Sequence, residues 1–215
     1  MRAVVSTAPV VGGLLTEIIT ELIPNQRLDR VERFILALAE EVQRAGCERC
    51  LPTSEGPQLE LVESGLRAAS MTSSTSKIEH LAKCAARGLT KDEGDAIRAQ
   101  RILKILSELD PEELIVLLYH TKLTIAAAQE FRKLHPAIFD LPLLMYGCDQ
   151  DVRKRNAEYQ AAERHLISLG LVSEEIKFDS KTGSAKLTIR KAEKDVQLTI
   201  VGRLVLHHAG LIEEV

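Results

Sequence analysis

Tryptophan is absent from this 215-residue chain, and aromatic residues make up only 3% of it. A core without large rings has to be filled by Leu, Ile, Val and Ala, which suits packed helices. A charge excess is lacking too. Residues 151–215 hold 11 Lys/Arg against 10 Asp/Glu, and the remainder holds 17 against 21. Neither portion is the strongly basic domain that nucleic-acid binding favours, so any such contact must come from a local face. Only 4 Cys occur, without regular spacing, which argues against a secreted disulfide framework and fits a reducing cytoplasm. No secretory signal follows Met1-Arg2. The stretch Ala3 to Ile23 is apolar, but Pro9, Glu17 and Glu21 argue against a membrane span, because charges deep in hydrocarbon are costly.

Recognisable reaction chemistry is also scarce. There is no Walker-type phosphate loop, no His-Glu-x-x-His and no Gly-x-Ser-x-Gly elbow. Cys47-x-x-Cys50 is a lone pair, and a zinc site needs four ligands. His80 and Cys84, one turn apart on a predicted helix, would complete it only by a coincidence of folding. The acidic pairs Glu40-Glu41, Glu112-Glu113 and Glu174-Glu175 read as solvated faces or first turns of helices. His120 and His135 flank apolar runs and carry no assigned role, and His207-His208 reads as a cation at a helix C-terminus. The expectation is a non-enzymatic protein with no catalytic residue, no metal and no cofactor.

What is present is helical periodicity. After a loose arm broken at Pro9 and Gly12-Gly13, Leu14–Ile23 is a short amphipathic helix. From Arg27 to Ala45, Leu28, Val31, Phe34, Ile35, Leu38 and Val42 form one stripe, closed by Gly46. The run 46–57 reads as a loop. Leu59–Ser70 is helical, with Leu59, Val62, Leu66 and Ala69 in register. Ser76 and Glu79 match a capping box and predict a helix to Arg87 that stops at Gly88. Thr90 with Glu93 starts another, with Ile97, Ile102, Ile105, Leu106 and Leu109 facing inward. Asp110-Pro111-Glu112-Glu113 opens a further helix, Pro at its first position and acid in its first turn. The apolar LIVLLYH that follows predicts burial. Thr124–Leu134 is helical, and 135–150, interrupted by Pro136, Pro142 and Gly147, reads as an ordered loop.

The last third is helix, three short strands, helix. On a helical wheel of 152–169, Val152, Tyr159, Ala162, Leu166 and Leu169 share one side. Arg153, Lys154, Ala157, Gln160, Ala161, Arg164 and Ser168 share the other. Arg and Gln read base edges, and Ala lets a backbone come close. Gly170 ends the helix, and DSKTG (179–183) turns a hairpin carrying Lys177, Lys181, Lys186, Arg190, Lys191 and Lys194. Such a hairpin either holds phosphates or is a solvated edge guarded by Lys. Leu198-Thr199-x-x-Gly202-x-x-x-Leu206, taken with LISLGLVSE at 166–174, resembles the closing signature of winged-helix domains. The order of the whole chain resembles an uncharacterised bacterial helical family with a winged-helix-like end, most of all over Gly65–Tyr119. That family implies architecture and no activity.

The sequence therefore predicts a mainly α protein. Residues 1–109 form a helical body with an apolar arm, and 110–215 form a winged-helix-like α+β module. The functional expectation is a cytoplasmic nucleic-acid-binding regulator. Arg153, Lys154, Gln160 and Arg164 would enter the groove of double-stranded DNA, and Lys181, Lys186, Arg190 and Lys191 would hold phosphates. The alternative is a protein-interaction component, such as an adaptor or an accessory protein of a bacterial stress or phage-defence system. It would use the same module and the apolar N-terminus as protein-binding surfaces. Self-association through the N-terminal helices is expected in either case.

Overall fold

A computed structural model describes residues 27–46, 56–89, 93–122, 124–140, 149–174 and 196–213. The predicted arm and helix within 1–23, the Cys47/Cys50 pair and the hairpin at 175–195 lie outside these residues. The chain divides into two compact units. One is Met1–Pro111 together with His207–Glu214, and the other is Glu112–Leu206.

The first unit is built on four helices: α1 (Leu28–Arg44), α2 (Pro57–Met71), α3 (Thr75–Leu89) and α4 (Glu93–Glu108). Helix α3 packs on each of the other three, and α2 also meets α1 and α4, so the four close into a bundle. The α1 stripe is buried at Val31, Phe34, Ile35 and Leu38. Full burial of such side chains contributes about 1.5–3 kcal/mol each. Close approach depends on two glycines. A Cβ on Gly65 would collide with the Phe34 ring, and one on Gly88 would sit 2.5 Å from both Ala99 Cβ and Leu61 Cδ2.

Gly88 is the penultimate residue of α3, one position inside its described end, and it also meets the need for a small residue at a three-helix contact. The cap of α3 also differs from the expected one. Ser74, not Ser76, accepts from the Lys77 N–H, at 3.3 Å, and the helix starts at Thr75. On α4 the buried face is Ala96, Ala99, Ile102, Leu103 and Leu106, while Ile97 is 42% exposed. The alanines take the inward positions because α3 lies too close for larger side chains.

The second unit contains α5 (Pro111–Tyr119, from its second residue), α6 (Ile125–Leu134), α7 (Pro136–Phe139), α8 (Gln150–Ser168), β1 (Val172–Glu174) and β2 (Val196–Leu198), followed by α9 (Ile200–His208) up to Leu206. Pro111 opens α5 as predicted, and Leu114, Val116 and Leu117 are buried on it. Thr124 caps α6, its side chain accepting from Ala127 N–H at 3.2 Å. The stretch read as loop from His135 begins with the single turn α7, its Pro136 placed where a helix needs no N–H donor.

Strands β1 and β2 pair antiparallel with Val172 opposite Leu198 and Glu174 opposite Val196. Among the described residues the sheet has two strands, where three were expected. The fold is thus mainly helical with a small sheet near the C-terminus.

Candidate nucleic-acid interface

Helix α8 is the element that the sequence offered as a recognition surface. Its inward anchor is Leu166, fully buried, with Val152, Tyr159, Ala162 and Leu169 half-buried on the same side. Arg153, Lys154, Ala157, Ala161, Arg164 and Ser168 are exposed, and Gln160 is half-buried. The 3.6-residue period accounts for this division, since 153, 157, 161, 164 and 168 recur at three- and four-residue steps. Arg155 adds a cation to the exposed surface, and Asp151 and Glu158 add acids. Of the eight predicted contact residues, the structure brings Arg153, Lys154, Gln160 and Arg164 onto one helix. Lys181, Lys186, Arg190 and Lys191 lie outside the described residues.

The far end of α8 is fixed by its chain reversal. Gly170 adopts φ +69°, a conformation that favours glycine. Its N–H donates to Ile167 O at 2.9 Å, and Leu171 N–H reaches back to Leu166 O at 3.0 Å. Leu166 and Leu171, the two hydrophobic partners of this Schellman stop, are both fully buried. The chain then enters β1.

Thr199 ties the return of β2 to the same turn. Its N–H donates to Leu171 O at 3.0 Å, and its Oγ1 lies 2.7 Å from Gly170 O. Oγ1 also accepts from Gly202 N–H at 3.0 Å and so caps α9. Gly202 packs directly on the Leu171 carbonyl, where a Cβ would collide. The Leu-Thr-x-x-Gly pattern is thus a physical clamp in which Thr199 N–H, Thr199 Oγ1 and Gly202 N–H are all engaged.

The near side of α8 rests on an aromatic cluster. Tyr119, Phe131, Phe139 and Tyr159 come from α5, α6, α7 and α8, with ring centroids 4.9 Å apart for Tyr119–Phe139 and 6.0 Å for Phe139–Tyr159. Phe131 also meets the His135 ring in a tilted contact, centroids 4.7 Å apart. Arg132 lies over the Tyr119 ring and donates to its hydroxyl. Burial pushes the Tyr159 phenol up to about 12, with Glu163 adding to the shift. The protein has seven Phe and Tyr, and four of them are spent here. Each ring contact contributes about 0.5–1.5 kcal/mol beyond area burial.

Two polar groups beside this cluster were missed in the sequence. Glu113, assigned there to a solvated first turn, is 9% exposed and accepts from His165 Nδ1 on α8 at 2.7 Å. The signal available for it was weak: an acid one turn from LIVLLY and a His on the inner flank of α8. His120, left without a role, is half-buried, and desolvation holds its imidazole below the usual range, opposed by a hydrogen bond to the Val196 backbone. Among the described residues its Nε2 has no hydrogen-bond partner. Glu113 ties α5 to α8, and His120 meets the backbone of β2.

Elsewhere, Cys84 is buried against Ala99 O, and His80 Nδ1 donates to Ala209 O at 2.8 Å. His80 and Cys84 are thus committed to packing and to a carbonyl. Among the described residues no group of three or more His, Cys, Asp or Glu could hold a metal ion, and no helix is long and apolar enough to cross a membrane.

Comparison with known proteins yields no family model, no curated protein and no solved structure that matches this chain. The reading of the site therefore stands on its own residues.

Proposed function

We propose that the second unit is a winged-helix-like module that binds double-stranded nucleic acid in a non-enzymatic, regulatory role. The observation that carries this reading is the outer face of α8. Arg153, Lys154 and Arg164 are exposed around Ala157 and Ala161, two positions where a helix backbone can approach a duplex closely. Gln160 at the edge of this face supplies an amide suited to adenine.

The sheet supports the second half of the interface. Glu174 and Val196 are direct partners, so the chain between them leaves and returns at one place. That segment, 175–195, carries six Lys/Arg against four Asp/Glu. Lys181, Lys186, Arg190 and Lys191 would take phosphates there, which position a protein without reading sequence.

The test is fluorescence anisotropy of the whole protein with a labelled random duplex, titrated with salt. Each phosphate contact steepens the log–log salt dependence by about 0.9. Arg153→Ala with Arg164→Ala should weaken binding by about tenfold or more and flatten that slope. Duplex binding unchanged by the two substitutions would remove α8 from the interface.

A second reading, a protein-interaction module, is favoured by Ile125 at 80%, Leu134 at 75% and Ile200 at 74% exposure. It predicts no duplex binding at low salt and a partner that protects these residues.

A further inference from the structure

The first unit contains a groove that the proposed function does not use. It lies between α2 and α4, with the start of α3 at one end, and is an open groove with a volume of roughly 740 Å³. That size is typical of small-molecule sites, which span about 300–1,000 Å³. Among the described residues four cations line it, Arg67 from α2, Arg101 and Lys104 from α4, and Lys77 from α3, against one acid, Asp110.

These cations fall into two roles. Lys77 is 7% exposed, and its Nζ donates to Ser107 O at 2.8 Å, so it is a fixed part of the floor that also secures the end of α4. Arg67, Arg101 and Lys104 are exposed on the walls, and none of them makes an ion pair among the described residues. The 101/104 spacing puts Arg101 and Lys104 on one face of α4, and Arg67 on α2 lines the same groove. Thr72 and Ser73 at the rim add backbone and hydroxyl groups able to donate to oxygen.

Among the described residues no aromatic side chain lines the groove. A nucleobase has nothing to stack on there, whereas phosphate oxygens have Arg forks and a Lys point charge to meet. We infer that the α2–α4 groove binds a small, multiply phosphorylated anion. A polyanion satisfies the three wall cations at once, and an exposed single charge would gain little from any one of them.

The probe is inorganic tripolyphosphate, titrated calorimetrically into the whole protein at low salt. Wild type should bind one equivalent. The triple variant Arg67→Gln, Arg101→Gln, Lys104→Gln retains long polar side chains at exposed positions and should lose about tenfold or more in affinity with an unchanged circular-dichroism spectrum. The matched triple variant Arg153→Gln, Lys154→Gln, Arg164→Gln on α8 removes the same charge and should bind tripolyphosphate as wild type does. Equal loss in both triples would show nonspecific charge attraction and overturn the inference, as would no heat of binding in wild type. Groove-dependent binding of a 12-mer of deoxythymidylate without tripolyphosphate binding would overturn it in favour of a nucleic-acid tract. None of these outcomes depends on duplex binding by α8.

Discussion

Gly202→Ala probes the clamp that orients α8, because two opposing effects of known sign meet at one atom. Ala is the better helix former by about 1 kcal/mol, so on propensity alone the substitution stabilises α9. The added methyl would collide with the Leu171 carbonyl oxygen and lie 2.7 Å from Leu198 Cδ1. The leucine can rotate, but the carbonyl cannot: it is held by Thr199 N–H at 3.0 Å and flanked by the Schellman turn at Gly170. Relief requires α9 to move off the β1 entry. That movement costs about 1–3 kcal/mol of overpacking and stretches at least one hydrogen bond of about 1 kcal/mol. The net expectation is destabilisation by about 1–3 kcal/mol, or a fall of about 2–12 °C in Tm for a chain of this size. Thermal unfolding followed by circular dichroism measures it. A variant as stable as wild type, or more stable, would show that α9 does not pack on the Leu171 carbonyl. Gly170→Ala is the internal contrast. Its Cβ meets nothing within 4 Å, so its cost is conformational, about 1–2 kcal/mol from φ +69°, and Gly170→Asn should recover part of it.

The remaining predictions follow from single groups. Thr199→Ala should cost about 1–2 kcal/mol in urea unfolding, and Thr199→Ser should restore most of it, since the hydroxyl bonds and not the methyl fix the cap. Desolvation lowers the imidazoles of His80 and His120, so each binds its proton more readily in the unfolded chain. Their contribution to stability is therefore complete above the ordinary value of about 6.5 and declines as pH falls below it. The urea midpoint should drop between pH 7.5 and 5.5, and a flat profile would contradict the burial of both rings. Burial raises the Cys84 thiol to about 12. With Cys47, Cys50 and Cys148 replaced by Ser, Cys84 should resist a disulfide-exchange reagent until denaturant unfolds the chain.

The sequence carried the helices wherever a stripe of large apolar residues sets the period, as with Val31, Phe34, Ile35 and Leu38 on α1. It also carried the amphipathic division of α8 and the helix stop at Gly170, because both depend on local chemistry. It failed where the partner decides. Ala96 and Ala99 displace Ile97 from the buried face only because α3 comes close, and nothing in the sequence shows that Gly88, beside its place at the helix end, also meets Leu61 and Ala99. Ser74 and Ser76 are both plausible caps by type; the hydrogen bond to Lys77 N–H selects the first. The aromatic cluster joins residues 119 to 159 through four helices, a long-range meeting with no periodic trace. Glu113 and His165, 52 residues apart, were invisible as a pair for the same reason. The α2–α4 groove was equally hidden, because Arg67, Arg101 and Lys104 read one at a time as ordinary solvated charges.

The outer face of α8 carries the proposed duplex contact, and photocrosslinking tests it most directly. A benzophenone amino acid placed at Ala157 should form an adduct with a bound duplex, and the same probe at the exposed Ile125 on α6 should not. No adduct at Ala157 under conditions where anisotropy shows the duplex bound would place the nucleic acid elsewhere and contradict the assignment of α8.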